Sequence, residues 1–492
     1  MNILFLMTDQ HRVDTLGCYG SRHVATPAID SLAAGGTRFD RCYTPTAICT
    51  PARASLLTGS APFRHRLLAN YERNVGYLED LPDDQFTFTG PLNDNDYALG
   101  LLGKWHVGTH RTAADFGFEG PHLPGWHNPV DHPDYAAYLA EQGLPPYAIG
   151  ESIRAVTANG ERGNLLAARL AQPPEATFEH YLATRTIETL ERYAKRRDTT
   201  GAPFFLATHF FGPHLPYLLP GEYFDRYDPD LVELPVSVAE SFAGKPPVQR
   251  NYSAHWGFDT MPTEQTRRLI AAYWGYVTLI DVQIGRILTA LDELGLADET
   301  AVVFTADHGE FTGAHRLHDK GPAMYEDIYR IPGIIRVPGA PAGQVRDEFV
   351  SLTDWTATIL ELAGADPAPA EDSRSLMPLI RGERPDWPAE LVAEFHGHHF
   401  PHAQRMIRDE RYKLVINPES CNELYDLSTD PHELHNRYQH PELRPVRARL
   451  TRRLYHLLRD RGDNFYHWMT SMYDVGPTDY DPTLSVFERS GA

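Results

Sequence analysis

Residues 3–10 read Ile-Leu-Phe-Leu-Met-Thr-Asp-Gln, a continuous apolar run that ends in two oxygen-bearing side chains, Asp9 and Gln10. An apolar run without polar alternation is typical of a strand that is buried on both faces, as in the middle of a parallel sheet. Open α/β sheets bind their ligands at the carboxyl ends of the strands, which is where Asp9 and Gln10 stand. Carboxylate and amide oxygens suit a hard divalent cation, although the same two residues could simply form the turn after the strand.

Residues 300–308 repeat this arrangement. Thr300 to Ala306 is predicted to be a second buried strand, and Asp307 and His308 follow it directly. Because the carboxyl ends of parallel strands meet at one edge of a sheet, we expect the two polar pairs to lie together and to hold one metal ion. The segment from Thr263 to Leu294 is amphipathic and free of proline, which predicts a long helix on one sheet face, continuous or broken once.

A third stretch, residues 44–59, reads Thr-Pro-Thr-Ala-Ile-Cys-Thr-Pro-Ala-Arg-Ala-Ser-Leu-Leu-Thr-Gly. Thr50 is predicted to cap a helix that starts at the following proline, and Gly59 is predicted to end it. Cys49 would then lie just before a helix N-terminus, where an anion is favoured, and Arg53 could reach back towards it. These groups together would form an oxyanion site; a buried structural cysteine is the plain alternative.

Further cationic and proton-transferring residues follow other predicted strands. Lys104 and His106 stand at the end of an apolar run, and on an extended chain their side chains would point to the same side. A proline-rich loop presents His214 after a predicted strand at 203–209, and Lys320 lies in the loop after Asp307. Taken alone, Lys104 and His106 are more commonly a surface lysine and a packed histidine, and His214 could equally be a loop histidine that packs on Tyr217.

In combination, these motifs resemble the sulfatase family. The run from Cys49 to Arg53, with the Ser-Leu-Leu-Thr-Gly that follows, is similar to the sulfatase signature Cys-X-Pro-X-Arg. The Gly-Lys-Trp-His that ends at His106, the Pro-His-Leu-Pro around His214 and the position of Lys320 are similar to sulfatase elements in the same order. The resemblance covers nearly the whole chain. It implies an α/β, alkaline phosphatase-like fold, with a large, mostly parallel sheet flanked by helices and a small C-terminal α+β subdomain with an antiparallel sheet.

This resemblance also implies a division of the chain. Residues 1–375 would form the catalytic α/β domain, in which residues 110–175, rich in Pro, Gly, His and Tyr and with little hydrophobic period, would be a cap-like insertion over the carboxyl edge of the sheet. Residues 376–492 would form the C-terminal subdomain and tail, with short strands and a helix from Arg444 to Leu458. Four histidines of this subdomain are expected either to shape the substrate pocket or to lie in a solvated loop: His396, His398, His399 and His402.

In sulfatases the signature cysteine is oxidised after translation to formylglycine (3-oxoalanine), and its hydrate is the nucleophile. The resemblance therefore implies a formylglycine-generating enzyme as a maturation partner and a small-molecule sulfate ester as substrate. It implies five ligands for one divalent metal ion: Asp9, Gln10, Cys49, Asp307 and His308. The family suggests calcium, but Gln10 and His308 stand where many sulfatases have Asp and Asn. They resemble phosphonate monoester hydrolases instead, so manganese or another transition metal stays open.

The remaining catalytic roles also follow from the resemblance. Arg53, Lys104 and Lys320 would neutralise charge on the sulfuryl oxygens. His214 with Lys320 would protonate the leaving oxygen, and His106 would remove the second hydroxyl proton of the hydrate.

Charge and composition exclude some classes of function. The chain has 492 residues and a formal net charge of −21, which disfavours nucleic acids and anionic membranes as partners. Four cysteines and no apolar segment long enough for a signal or membrane helix predict a cytoplasmic protein. The aromatic and acidic tail from Asn464 is expected to pack either on a partner subunit of a homo-oligomer or on the cap.

Three functional hypotheses are thus set in order. The first is hydrolysis of a sulfate ester to an alcohol or phenol, as in an arylsulfatase. The second is hydrolysis of a phosphonate monoester or phosphodiester at the same site, which Lys104 and His106 disfavour because they resemble sulfatase residues. The third is an inactive anion-binding scaffold, which requires an unmodified Cys49.

Overall fold

The computed structural model describes residues 1–70, 72, 75, 78–123, 129–157, 159–367, 372–418 and 420–476. The strands are β1 (Asn2–Thr8), β2 (Thr37–Phe39), β3 (Cys42–Tyr43), β4 (Ala98–Lys104), β5 (His122–Leu123), β6 (Ile149–Val156), β7 (Arg162–Leu170), β8 (Phe204–His209), β9 (Tyr217–Pro220), β10 (Thr300–Ala306), β11 (Gly333–Arg336), β12 (Gln344–Arg346), β13 (Val350–Ser351), β14 (Leu391–His398), β15 (Phe400–Arg408), β16 (Tyr412–Ile416) and β17 (Glu423–Asp426). The α-helices are α1 (Pro27–Ala34), α2 (Cys49–Thr58), α3 (Pro62–His65), α4 (Thr89–Asp94), α5 (Pro133–Glu141), α6 (Phe178–Thr200), α7 (Gly221–Phe224), α8 (Pro247–Trp256), α9 (Thr263–Glu293), α10 (Glu326–Tyr329), α11 (Asp354–Ala363), α12 (Met377–Ile380), α13 (Arg444–Arg461) and α14 (Tyr466–Met472).

The main sheet has, within the described residues, eight strands in the order β12-β2-β11-β10-β1-β8-β4-β5. β1 pairs in parallel with both β10 and β8, whereas β11 runs antiparallel to its neighbours. The predicted mostly parallel α/β sheet is confirmed. β1 is central because both of its faces are apolar: Leu4 and Leu6 pack into one core, while Phe5 and Met7 pack into the other.

Helices cover the two faces of this sheet. α6 and α9 supply large parts of the core that contains Leu6, and α9 runs without a break to Glu293. α2 and α11 contribute to the core on the opposite face, around Phe5. The long amphipathic helix is therefore confirmed as one continuous element.

The helix of the cysteine motif begins two residues earlier than predicted, at Cys49 instead of Pro51. Cys49 is its first residue and Ile48, in extended conformation, is its N-cap, so the assignment of Thr50 as N-cap was wrong. The reason is that the backbone N–H of Thr50 donates to Oδ1 of Asn70 at 2.9 Å, and Asn70 thus satisfies a first-turn donor from outside the helix. Gly59 ends the helix with φ 68°, as predicted.

Two other segments differ from their predicted form. The strand expected from Arg38 to Tyr43 is divided between β2 and β3, which belong to different sheets. Residues 110–175, whose sequence shows little hydrophobic period, contain α5 and the hairpin β6-β7. The hairpin was not predicted because most residues of β6 are exposed, so the strand has no continuous apolar face. The cap function of this insertion stays a prediction.

The C-terminal part contains the predicted antiparallel sheet, in the order β14-β15-β16-β17. Ile407 and Leu414 on one of its faces pack with α13, while Met406 and Val415 on the other face pack against the catalytic part of the chain. The proposed boundary at residue 375 stays a prediction. Self-association through the tail also stays a prediction, and residues 477–492 of the tail lie outside the described residues. None of the described helices has the length and apolar character needed to cross a membrane.

The central position of β1 predicts a large cost for a cavity in it. Leu6 is 0% exposed, so Leu6→Ala should lower the free energy of unfolding by about 3 kcal/mol. Val345 on the edge strand β12 is 55% exposed, and Val345→Ala should change the same quantity by less than about 0.5 kcal/mol. Urea unfolding followed by tryptophan fluorescence measures both. Equal losses in the two variants would contradict the assignment of β1 to the centre of the core.

Candidate active site

The predicted metal ligands converge at the carboxyl edge of the main sheet. Asp9 follows β1 and Asp307 follows β10, and the parallel register that pairs Thr8 with Ala306 brings the two carboxylates together. The side chains whose donor atoms all lie within 4.8 Å of one another are those of Asp9, Cys49, Asp307 and His308. All four are fully buried.

The geometry of these side chains fits a divalent cation. Nε2 of His308 lies 3.8 Å from Oδ1 of both Asp9 and Asp307, too far for hydrogen bonds but close enough for all three atoms to reach one ion. Nδ1 of His308 is 2.9 Å from the carbonyl oxygen of Gly309, so the ring donates there and presents Nε2 to the carboxylates. Sγ of Cys49 is 3.1 Å from His308 Nε2 and 3.9 Å from Asp9 Oδ1.

Two cations from neighbouring elements hold the carboxylates in place. Arg53, one turn into α2, donates from Nε to Asp307 and from Nη2 to Asp9, each at 2.9 Å. Nζ of Lys104, the last residue of β4, is 2.5 Å from Asp9. Both cations are almost completely buried, where charge interactions are weakly screened. Arg53 and Lys104 thus lie beside the two carboxylates, and their catalytic roles stay predictions.

The two carboxylates do not share this positive charge equally. Burial and the neighbouring Cys49 raise the pKa of Asp9, but the positive charges around it, chiefly that of Lys104, hold it well below its usual range. Burial and the charge of Asp9 raise the pKa of Asp307 above its usual value in spite of Arg53. The cations around the site therefore leave part of the negative charge at Asp307 uncompensated, and a divalent cation would supply the missing positive charge.

The environment of residue 49 favours an anion. Burial alone would raise the pKa of the Cys49 thiol, but the charges of Lys104 and Lys320 hold it well below its usual range. Burial would lower the pKa of His308, but Asp307 and Cys49 raise it to about 9. A metal ion bound at Nε2 must replace the proton there, so its affinity should increase with pH.

Gln10 is oriented from both ends of its side-chain amide. Its Oε1 accepts a hydrogen bond from Nζ of Lys320 at 3.0 Å, and its Nε2 donates to Glu310. The backbone of Gln10 is left-handed, with φ 65°, a conformation that costs energy for a residue other than glycine and often occurs at functional sites. Its role as a metal ligand stays a prediction.

Lys320 directs its ammonium group to three acceptors: Oε1 of Gln10 at 3.0 Å, Nε2 of His214 at 2.8 Å and Oδ1 of Asp319 at 3.1 Å. Burial would lower the pKa of Lys320, but the charges of Asp319 and Cys49 raise it well above its usual value. Lys320 is therefore a fixed cation that donates to His214. The sequence predicted this pairing of Lys320 with His214 without predicting its geometry.

The backbone conformation that positions His106 near Cys49 differs from the prediction. Lys104 is the last residue of β4 and His106 has a left-handed φ of 52°, so the extended geometry predicted for this pair was wrong. The resulting turn brings the ring of His106 close enough to Cys49 for the two groups to affect each other's pKa. Burial and the charge of Lys104 lower the pKa of His106 to about 4, so its imidazole is uncharged at neutral pH.

Three residues of the site were not singled out from the sequence. Asn70 holds the first turn of α2 through the N–H of Thr50. Asp319 and Glu310 hold the lysine and the glutamine described above. Both acidic residues stand within the motifs that follow β10, a signal that could have identified them. Asn70 lies in a loop without a recognisable pattern.

The four histidines of the C-terminal subdomain lie on or beside the hairpin β14-β15. His396 pairs with Glu394 at 2.6 Å and His398 pairs with Glu72 at 2.6 Å. The ring centroid of His399 is 4.0 Å from that of His398. Their contribution to a substrate pocket stays a prediction.

Both the sequence and the fold are similar to those of known sulfatases and a related hydrolase. Residues 1–365 match the family model described as Sulfatase, and residues 313–460 match the model described as N-sulphoglucosamine sulphohydrolase, C-terminal. The chain is 29% identical over 467 residues to the uncharacterised sulfatase YidJ of Escherichia coli strain K12, covering 91% of this chain and 85% of that protein. It is 28% identical over 459 residues to an arylsulfatase of Clostridium perfringens, covering 88% of this chain and 89% of that protein. Its fold matches the crystal structure of a phosphonate monoester hydrolase of Agrobacterium radiobacter with a TM-score of 0.79 and 26% identity, covering 94% of this chain and 96% of that one. The predicted alkaline phosphatase-like fold is thereby confirmed.

The geometry of the site predicts that Asp307 is required for metal binding. Asp307→Asn keeps an acceptor for Arg53 but removes one carboxylate from the ligand group, so stoichiometric binding of a divalent ion should be lost. Elemental analysis of metal-loaded, dialysed protein measures this, and wild-type affinity should be higher at pH 8 than at pH 6, because His308 must lose its proton.

The matched control for this prediction is Asp281→Asn. Asp281 is another buried carboxylate, which accepts hydrogen bonds from the backbone N–H groups of Ala28 and Ile29 in α1. This variant should keep its metal. Full metal content in Asp307→Asn would show that the ion is held elsewhere or not required.

Proposed function

Because the chain belongs to the sulfatase family, we propose that its site hydrolyses a small sulfate ester to an alcohol or phenol and sulfate. The observation that carries this proposal is the setting of Cys49. This residue starts a buried helix and lies against two carboxylates and His308. The charges of Lys104 and Lys320 act on it. A nucleophile that must become an anion and attack an anionic ester needs such surroundings.

Two groups of the family would complete the site. Cys49 would be converted to formylglycine by a formylglycine-generating enzyme, so that its hydrate supplies the nucleophilic hydroxyl, a general feature of sulfatases. Asp9, Asp307, His308 and residue 49 would hold a divalent ion, with Gln10 as a further ligand. When bound, the ion would act as a Lewis acid that favours the deprotonated nucleophile. Calcium is the expected ion, and the imidazole of His308 keeps manganese or another transition metal open.

The cations of the chain would neutralise charge on the sulfuryl group. Lys104 and Lys320 are buried and close to residue 49, so they could bind the sulfuryl oxygens without reorganisation. Arg53 donates hydrogen bonds to Asp9, to Asp307 and to the carbonyl oxygen of Lys104. These contacts support a role in orienting the carboxylates, in addition to the charge neutralisation proposed for Arg53.

Proton transfer would involve two histidines, His214 and His106. Nδ1 of His214 is 2.5 Å from the carbonyl oxygen of Leu215, so it donates there, and Nε2 accepts from Lys320. Lys320 and His214 together would protonate the leaving oxygen. His106 is uncharged at neutral pH and close enough to Cys49 for Cys49 to affect its pKa, so it would accept a proton from residue 49 when sulfate is released.

A second candidate function is hydrolysis of phosphonate monoesters. The similarity of the fold to a phosphonate monoester hydrolase favours it, as do Gln10 and His308, which resemble that group. Lys104 and His106 favour the sulfate ester, because they resemble sulfatase residues and both reach the site.

A cytoplasmic location is proposed on the state of the cysteines. All four are free, namely Cys18, Cys42, Cys49 and Cys421, as expected in a reducing compartment. The formal net charge of −21 supports the proposal that neither nucleic acid nor an anionic membrane is a partner.

The modification of Cys49 is directly testable. Active protein should show, in the peptide that spans residue 49, the mass loss of replacing a thiol by an aldehyde, and Cys49→Ala should abolish activity while the melting temperature changes little. Cys18→Ala and Cys421→Ala are controls, because both residues are half-buried and lie outside the motif. Full activity in protein whose residue 49 is entirely cysteine would refute the mechanism, since a thiol has no second hydroxyl.

The substrate class is tested with 4-nitrophenyl sulfate and 4-nitrophenyl phenylphosphonate, which release the same phenol. We expect the higher kcat/KM for the sulfate ester. Lys104→Ala should lower it by about 100-fold, because a preorganised cation is removed from the charge that develops. A higher kcat/KM for the phosphonate in the wild-type enzyme would reverse the order of the two candidate functions.

A further inference from the structure

A line of polar and charged side chains joins the C-terminal sheet to Lys320. Glu72 accepts a hydrogen bond from Nδ1 of His398 at 2.6 Å and another from the backbone N–H of Asn70 at 3.1 Å. On the other side of the ring, Nε2 of His398 lies 3.8 Å from Oδ2 of Asp319. His398 is the last residue of β14, so the C-terminal sheet extends to the carboxylate that holds the active-site lysine.

Asp319 uses its two carboxylate oxygens for two different contacts. Oδ1 binds Nζ of Lys320 at 3.1 Å, whereas Oδ2 accepts a hydrogen bond from the hydroxyl of Tyr252 at 2.9 Å and faces His398. A carboxylate is rigid, so the groups that fix Oδ2 also fix the direction in which Oδ1 holds the lysine. Because Lys320 donates in turn to His214, the position of Asp319 affects the whole pair.

The surroundings of His398 favour its protonated form. It is 3% exposed and lies between the carboxylates of Glu72 and Asp319. Burial would lower its pKa, but the neighbouring carboxylate of Asp319 and the hydrogen bond with Glu72 raise the pKa above its usual value. The carboxylates of Glu72 and Asp319 thus alternate with His398 and Lys320 in one buried row. Removal of one member would leave an uncompensated charge.

We propose that His398 is a positioning residue for leaving-group protonation: it holds Asp319, and Asp319 holds Lys320 against His214. This inference rests on the proposed function, in which the nucleophilic oxygen of the hydrated residue 49 would form a bond to sulfur while the ester S–O bond breaks. The electron pair of the broken bond would go to the leaving oxygen, and a proton from the Lys320–His214 pair would join that oxygen. The C-terminal sheet thereby takes part in the reaction without contacting the substrate.

The dependence of the rate on the leaving group distinguishes this role from a purely structural one. An ester of a strongly acidic phenol needs little protonation as its bond breaks, whereas an ester of a weakly acidic phenol depends on it. A general loss of folded enzyme lowers both rates by the same factor. A misplaced Lys320–His214 pair lowers the second rate more than the first.

The experiment measures kcat/KM of metal-loaded, formylglycine-containing protein for 4-nitrophenyl sulfate and for 4-methoxyphenyl sulfate. His398→Gln should lower the value for the methoxyphenyl ester by about tenfold more than the value for the nitrophenyl ester. His214→Ala defines the limit for complete loss of the acid and should show a larger difference. Tyr252→Phe removes the other contact to Oδ2 and should act in the same direction, so the test remains available if His398→Gln folds poorly.

His396→Gln is the matched control. His396 lies on the same strand and pairs with Glu394 at 2.6 Å, so any effect of its replacement should be equal for the two esters. Equal losses for both esters in His398→Gln and in Tyr252→Phe, or no loss in either, would overturn the inference and leave the proposed function intact. A wild-type enzyme that hydrolyses neither ester would overturn both.

The same side chains allow one competing explanation. Ligand atoms of Glu72, His398 and His399 lie within 4.8 Å of one another, as they would around a second metal ion. We favour the ion-pair interpretation because Glu72 and Asp319 occupy opposite sides of the His398 ring. Elemental analysis decides between the two explanations. If wild-type protein and His396→Gln hold a second ion that His398→Gln lacks, the positioning role is wrong.

Discussion

The site depends on one constraint, which is that two neighbouring carboxylates are completely buried. Asp9 and Asp307 are 0% exposed, and the pairing of β1 with β10 leaves them side by side. Buried anions are tolerated only when cations and hydrogen-bond donors compensate them. Arg53 satisfies both at once, and because Arg53 and Cys49 share α2, the same ion pairs that stabilise the carboxylates fix the position of residue 49. The catalytic geometry is thus a consequence of charge compensation in the core.

Much of this arrangement could be predicted from the sequence, because its strongest determinants are local. The apolar runs of β1 and β10 identify central strands, and the rule that ligands bind at strand ends predicts Asp9 and Asp307. Prediction failed where the determinant is not local. The contact between Glu72 and His398 joins residues 326 positions apart. Gln10 and His106 have a left-handed backbone although neither is a glycine, so the sequence does not indicate this conformation. The hairpin β6-β7 is too exposed to show a periodic apolar pattern.

The two faces of the C-terminal sheet pack into different cores. The face with Ile407 and Leu414 forms a small core of its own with α13. The other face, with Met406 and Val415, shares a core with Tyr325 and Tyr329, which follow the loop that carries Lys320. A sheet that is anchored in this way can hold side chains at a fixed distance from the active site. This rigidity is what positioning of Asp319 through His398 requires.

The complete burial of Cys49 has a consequence for how active enzyme is made. Every residue of α2 is buried in the folded chain, so the modifying enzyme proposed above could reach the cysteine only before this helix packs. The fraction of active molecules would then depend on the relative rates of folding and oxidation rather than on an equilibrium. A chain that folds first would be a stable but inactive product, and slower folding would increase the yield of active enzyme. Mutations far from the site could therefore change the specific activity of a preparation without altering any catalytic step.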